Sequence, residues 1–464
     1  MIAKVARITV KIVAGLMAFA LLLVLAWALL NSFDAPLSEQ AKALLAVPPN
    51  PYPSDENLYL AMAGLEGTGE RPIIEMGQER IAAYDKALDS LPLNPDTALN
   101  LNRKWEATKL SFSGKLELGS ARTTSIWRDV KSHRQNFAAL LASNQQLFQR
   151  YLFLHRLQGY DETARPGFMA PVVVVQQPLR ILFLADVADR VQTGALQQQR
   201  DALVDLQHDV QMWRTVLKGD GTMISKMVAT ASLHADLILG ADLIADPNID
   251  LRFLDDLLGR MLAPFDLKDY RIGSAFGAEF RGTAALYRTI AGADAFANSK
   301  TSSWGQRTLN AFQVHFFKLN ATQNMSAVRA ARWAALADSE PSQFFRNRDA
   351  NRDWLKNNNL HFSIGFLYNP IGKILVAIAT PQNDAYALRV YDVAAYQRLV
   401  YLAFQLKRQH VATADVASFL SAHPEWSTHP LDGKPFRWNA ESEELAVHTL
   451  GEHSHDQRFS VILR

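Results

Sequence analysis

The chain contains no cysteine in 464 residues, which removes disulfide stapling, thiolate catalysis and Cys-ligated zinc or iron–sulfur centres together. Its stability must therefore come from packing. An excess of charge is also missing. The 48 basic residues stand against 46 acidic ones for a net charge of +2, so no strong field gathers nucleic acid. Nucleic acid is not expected as a partner. Short catalytic signatures are equally scarce. There is no His-Glu-x-x-His, no Gly-x-Ser-x-Gly and no Ser-x-x-Lys. None of the pairs Gly114-Lys115, Gly372-Lys373 and Gly433-Lys434 is followed by the Ser or Thr of a phosphate-cradling loop. The sequence thus assigns no catalytic residue, no cofactor and no metal, and favours a binding protein over an enzyme.

What is present is a long apolar opening. Lys4, Arg7 and Lys11 lead into an unbroken apolar run from Ile12 to Leu30, which ends at Asn31-Ser-Phe-Asp34. At about 1.5 Å per residue such a run nearly crosses a hydrocarbon layer of about 30 Å. Basic residues on its N-terminal side alone keep that end in the cytoplasm. Residues 1–31 are expected to form a cytoplasmic tail and a transmembrane anchor, with the lipid bilayer met through residues 12–30. The remainder would then lie in the periplasm, and the anchor in a bacterial inner membrane. A secretory signal cleaved after Ala28 is the competing reading, because Ala26-Trp27-Ala28 has the small-x-small form; Leu29 and Leu30 continue the run past that point.

The expected fold is mainly α: an anchor helix, a large helical body and a small C-terminal α+β lobe. Residues 32–54 carry Val47-Pro-Pro-Asn-Pro-Tyr-Pro53, whose fixed φ angles predict a stiff spacer between membrane and body. Residues 55–380 read as the helical body. A short helix with a glycine stop is predicted over Leu58–Leu65, and a core helix over Gln135–Leu157, where apolar residues recur at three- and four-residue steps. Ala195–Leu217 and Met223–Ile244 are joined by Gly219-Asp-Gly-Thr222, a stop and an N-cap, which predicts an antiparallel helical hairpin. Leu251–Leu262, Ala275–Ile290 and Trp304–Leu319 also have helical spacing. The charged stretch Arg329–Lys356 alternates in sign and reads as a solvated helix surface, with Pro341 and Asn357–Asn359 as loops. Ile371–Thr380 is apolar, too short to span, and expected to be buried.

Residues 381–464 form the expected C-terminal unit. Gln382–His410 has the longest clean helical pattern, with apolar stripes wide enough for burial on two sides. Lys434–Trp438, Glu444–Leu450 and Phe459–Leu463 then alternate in twos, predicting an antiparallel meander. The order Ala422-His-Pro-Glu-Trp426, His429-Pro-Leu-Asp-Gly-Lys-Pro-Phe-Arg-Trp438 and His448-Thr-Leu-Gly451 resembles the C-terminal module of an uncharacterised group of membrane-anchored proteobacterial envelope proteins. More distantly, it is similar to the C-terminal hairpin region of the major pseudopilins of type II secretion. The likeness covers the last sixty to eighty residues or so. It implies an envelope protein with no activity to carry over. His448 replaces the aromatic of the closing step, and the acidic loop reads Glu452-His-Ser-His-Asp456, which has fewer oxygen donors than calcium takes. The first residues also lack a prepilin-type leader, so the likeness does not extend to a pilin subunit.

Candidate site residues are few. His453, His455 and Asp456 offer nitrogen and oxygen donors suited to zinc or copper, but alternate residues of an extended segment point to opposite sides. They stand as weak binding candidates only. Asp255 and Asp256 are adjacent on a helix, about 100° apart, and cannot share a substrate. His208 and His234 lie on the two helices of the hairpin and would meet only if their faces opposed. Trp105, Trp127, Trp213 and Trp333 are expected in the core, or as lining of a lipid or glycan site. The sequons Asn320-Ala-Thr322 and Asn324-Met-Ser326 read as incidental. The functional expectation is a membrane-anchored binding or scaffold protein with an envelope protein partner. An envelope hydrolase whose site assembles only in the fold, or a lipid- or glycan-binding module, is the alternative.

Overall fold

The computed structural model describes residues 2–89, 95–115, 126–167, 170–291, 315–358, 364–379, 384–451 and 458–463. Its elements run α1 (Ile2–Leu30), α2 (Glu39–Leu45), α3 (Leu58–Gly64), α4 (Ile73–Asp89), α5 (Pro95–Thr108), α6 (Ile126–Ser143), α7 (Gln145–Leu154) and α8 (Gln177–Thr193). Next come α9 (Leu196–Lys218), α10 (Met223–Ala245), α11 (Asp255–Leu262), α12 (Gly273–Ala291), α13 (Leu319–Ala337), α14 (Pro341–Asn358), α15 (Pro370–Ile378) and α16 (Asp384–Arg408). The short α17 (Val416–Ala422) and α18 (Pro424–Ser427) precede the strands β1 (Arg437–Asn439), β2 (Glu444–His448) and β3 (Arg458–Ile462). The protein is mainly α, with a three-stranded antiparallel sheet in the order β1-β2-β3 near its C-terminus.

The predicted hairpin is α9 and α10, and α10 is the centre of the molecule. It packs against α9, α16 and α12, with α6, α8 and α11 at its margins. Its length and apolarity would suffice to cross a membrane, but most of it is buried inside the body, so it is a core helix. Thr222 occupies the predicted cap position. Its hydroxyl accepts from no backbone N–H of the helix, however. Two carboxylates from elsewhere take that role: Glu162 accepts from the Thr222 N–H at 3.1 Å and Glu279 from the Met223 N–H at 2.9 Å. Acidic groups suit the partial positive charge at a helix start. At the other end of the turn, the buried Lys226 ammonium donates to the carbonyls of Val216, Leu217 and Gly219, closing the C-terminus of α9. Burial pulls its pKa down to about 8.

α16 is buried on nearly every side, as its two stripes predict, and lies on α10 and α11. One continuous apolar core therefore runs from Leu58 to Val461, and the helix assigned at sequence level to a C-terminal unit is core to the whole body. β2 and β3 rest on α16, with Leu445 paired to Val461 and Val447 to Phe459. The predicted helix over Gln135–Leu157 is divided. Asn144 leaves helical geometry between α6 and α7, and its amide instead exchanges bonds with Ser113 (2.7 and 2.9 Å). Pro341, expected in a loop, opens α14, where its missing N–H costs nothing. The predicted Trp304–Leu319 helix lies largely outside the described residues.

Two glycines set a close helix crossing. A Cβ on Gly77 would stand 1.8 Å from the Leu60 carbonyl oxygen, and one on Gly64 equally close to that of Ile73. The backbones of α3 and α4 therefore touch. Gly77→Ala must push the helices apart and is expected to cost about 3 kcal/mol, at the upper end of overpacking losses. Thermal unfolding of the purified variant checks this; an unchanged midpoint would show that the crossing is loose.

The expected spacer is placed differently. α2 already packs on α12 and α13, burying Ala41 against Phe280, Ala284 and Ala327. The Pro-rich strip thus follows the first packed helix, linking α2 to α3, and does not hold the body away from α1. Between α1 and α2, Asp34 caps the start of α13, accepting from Asn320 N–H at 2.8 Å and Ala321 N–H at 3.0 Å. Asn31 is fully buried. Its amide donates to the Leu367 carbonyl at 2.8 Å and its oxygen accepts from the Asn369 N–H at 2.8 Å. Trp27 Nε1 reaches the same Leu367 carbonyl at 2.8 Å, and its ring lies 4.2 Å from that of Phe316. The end of α1 is thereby bonded into the body.

Candidate functional site

Four titratable residues converge where α16 meets the C-terminal sheet. The turn His429–Lys434 is closed by His429 N–H to the Lys434 carbonyl (2.9 Å) and Gly433 N–H to the His429 carbonyl (2.9 Å). Gly433 has φ 69°, which the turn requires and a side chain would strain. This folds His429 and Asp432 inward. Asp392, fully buried on α16, accepts from the N–H groups of Leu450 and Gly451, both at 2.8 Å. His429 Nδ1 accepts from the Leu431 N–H at 3.1 Å, so its proton is assigned to Nε2, which faces Asp392 Oδ1 at 3.4 Å. Asp432 Oδ2 lies 2.8 Å from His448 Nε2 and 3.2 Å from Lys434 Nζ. The two imidazole rings are 5.1 Å apart.

The result is a series of carboxylate, imidazole, carboxylate and imidazole. Asp392 and His429 are sealed from solvent, while the His448 side chain is 29% exposed. Burial alone would raise the Asp432 pKa. The Lys434 N–H and His448 outweigh it and hold the carboxyl below its ordinary value. Asp392 orients His429 and Asp432 orients His448. Among the described residues no group of three or more His, Asp or Glu side chains is arranged to hold a metal. His429, Asp432, His448 and Gly451 all belong to the turn-and-hairpin residues singled out in the sequence. Asp392, which joins them, sits in the middle of a core helix and carries no local signal.

A second polar cluster is buried among α7, α8, α9 and α10. Arg180 donates to Asp236, to the Ser232 carbonyl at 2.7 Å and to Asp209 at 3.4 Å. Asp209 also accepts from the Tyr151 hydroxyl at 2.5 Å and faces His155 Nε2 at 3.0 Å. Burial pushes Asp236 well above the ordinary carboxylate range despite Arg180, favouring its protonated form. Burial also opposes ionisation of Asp209, but His155, Arg180 and Tyr151 prevail and hold its pKa down.

Near the cap of α10, Asp161 is pushed up to about 6, first by burial and then by the charge of Asp220. Its folded pKa exceeds the ordinary 3.8, so its favourable contribution is full below about 3.8 and is lost as pH rises through about 6. Asp161→Asn should leave stability unchanged near pH 3.5 and raise it at pH 7 by on the order of 1–2 kcal/mol, discounted for partial solvation. Urea midpoints at the two pH values test this. Equal shifts at both would assign the effect to packing instead.

The weak candidates His453, His455 and Asp456 lie outside the described residues. His208 is exposed, whereas His234 packs against Tyr396 (4.9 Å) and Phe459 (4.7 Å), so the two do not meet. Asp255 and Asp256 diverge into separate ion pairs with Arg408 (2.9 Å) and Arg200 (3.1 Å). Trp127, Trp213 and Trp333 are core residues, and Trp105 lies under the Arg80 guanidinium, 4.4 Å from its centroid. Comparison with protein-family models, curated proteins and solved structures finds no match to this chain.

Proposed function

We propose that this chain is a single-pass membrane protein of the bacterial cell envelope, N-terminus in the cytoplasm and body in the periplasm, acting as a binding or scaffold protein. The observation that carries the reading is the joint at Asn31. A helix with exposed apolar side chains from Ile8 to Leu30 leaves the body through buried hydrogen bonds, so the body is held at one orientation to whatever surrounds α1. Such a fixed mount suits a protein that presents one face to a partner. Lys4, Arg7 and Lys11 supply the inward charge bias. Reporter fusions at Arg464 test the topology: alkaline phosphatase should be active and a cytosol-dependent fluorescent protein dark. Crosslinking in native membranes tests the binding role, and recovery of no reproducible partner would count against it.

A second reading is an envelope hydrolase, favoured by the convergence of Asp392, His429, Asp432 and His448 on a solvent-reaching imidazole. Turnover of an ester, amide or glycoside that His448→Gln abolishes in a folded protein would support it. Turnover that survives the substitution would remove this site from the chemistry.

A further inference from the structure

The contacts around Trp27 and Asn31 fix the depth of a second segment. The Leu367 carbonyl accepts from both side chains, and His315 Nε2 lies 2.9 Å from the Ala28 carbonyl. Residues 364–369 therefore stand beside the last turn of α1, level with the end of its apolar run. The short turn Ile364–Leu367 exposes Ile364 (87%) and Leu367 (43%), and α15 exposes Ile374 (40%) and Ile378 (77%). Ile374 and Ile378 are four residues apart and share one face of α15. Val376, on the opposite face, packs with Tyr287 and Phe317, and Ile371 and Leu375 flank that cluster half-buried. Lys373 donates to the Gly365 carbonyl and ties the turn to the helix.

Four large aliphatic side chains facing outward are costly in water. Here the turn adjoins the end of the apolar α1, the helix is tied to the turn, and the Trp27 indole, which suits the lipid interface, is bonded to Leu367. We infer that the turn Ile364–Leu367 and helix α15 form a second membrane contact, with Ile364, Leu367, Ile374 and Ile378 set into the headgroup–acyl boundary of the leaflet on the body side. Amphipathic helices that lie in the interface bind in this manner. The inference rests on the reading of α1 as membrane-spanning.

The cysteine-free chain permits a clean test. Nitroxide labels are placed singly at Ile364→Cys, Ile378→Cys, Leu22→Cys in mid-anchor and Phe253→Cys, an exposed apolar site on the short turn before α11. The full chain is reconstituted in phosphatidylethanolamine–phosphatidylglycerol nanodiscs, and the accessibility of each label to oxygen and to a water-soluble nickel chelate is compared. The ratio of oxygen to nickel accessibility at 364 and 378 should exceed that at 253 several-fold and fall below that at 22. A lipidic label at 22 with nickel-accessible labels at 364 and 378 overturns the inference and leaves the anchor intact. A nickel-accessible label at 22 overturns the anchor and the inference with it. Shielding of 364 and 378 from both reagents assigns the face to a second copy or another protein, which also overturns it.

Discussion

Arg180→Met should lower the free energy of unfolding by about 3–5 kcal/mol, the range found when one partner of a buried ion pair is removed. The guanidinium is the positive group that Asp209 and Asp236 share, and both carboxyls are fully buried. Without it Asp209 keeps hydrogen bonds from Tyr151 and His155 but loses its cation, and the Ser232 carbonyl loses a donor. Urea unfolding followed by tryptophan fluorescence is a direct readout, because the Trp213 ring lies 5.4 Å from the guanidinium. The double variant Arg180→Met/Asp236→Leu should recover part of the loss, since it removes a carboxyl that then has no partner. A single variant with the parent midpoint would mean that the network contributes nothing to folding.

Asn31→Leu should release the anchor from the body. The substitution strands the buried Asn369 N–H, whose orphaning costs about 1–3 kcal/mol, and leaves the Leu367 carbonyl with Trp27 as its donor. That loss of about 1–3 kcal/mol would fall on one joint and not on the core. Asn369 extends the effect. It sits at φ 53°, where asparagine is tolerated, and its side chain accepts from Lys318 N–H at 2.8 Å and donates to Thr322 at 2.9 Å. The starts of α13 and α15 are thereby tied to the same point. Spin labels paired across the joint, one on α1 and one on α13, should give a single narrow distance in the parent and a broad distribution in the variant. A narrow distribution in both would locate the rigidity in Asp34 and Trp27 instead.

Local signals in the sequence were enough for much of the architecture. Gly219-Asp-Gly-Thr222 marks the α9–α10 hairpin because stop and start signals act within a few residues. The apolar stripes of Gln382–His410 foretell a helix buried on two sides, and the two-residue period after Lys434 foretells the sheet. The break at Asn144 was not legible, because the apolar period runs through it and its cause is a bond to Ser113, thirty-one residues away. Distance in sequence likewise hides Arg180 from Asp209 and Asp236, and Asp392 from His429 and His448. The expected spacer failed for a different reason. Proline composition reports local stiffness, but whether Ala41 finds Phe280 is decided by the whole body. Ile371–Thr380 was expected to be buried, and α15 is covered on one side only.

Asp34 and Asn31 leave the ribosome early, yet the groups they bind lie between 286 and 338 residues downstream. The socket for the end of α1 cannot exist until α13 and α15 have been made. Folding must then proceed with a finished first helix and an unfinished body, and the seating of one on the other comes last.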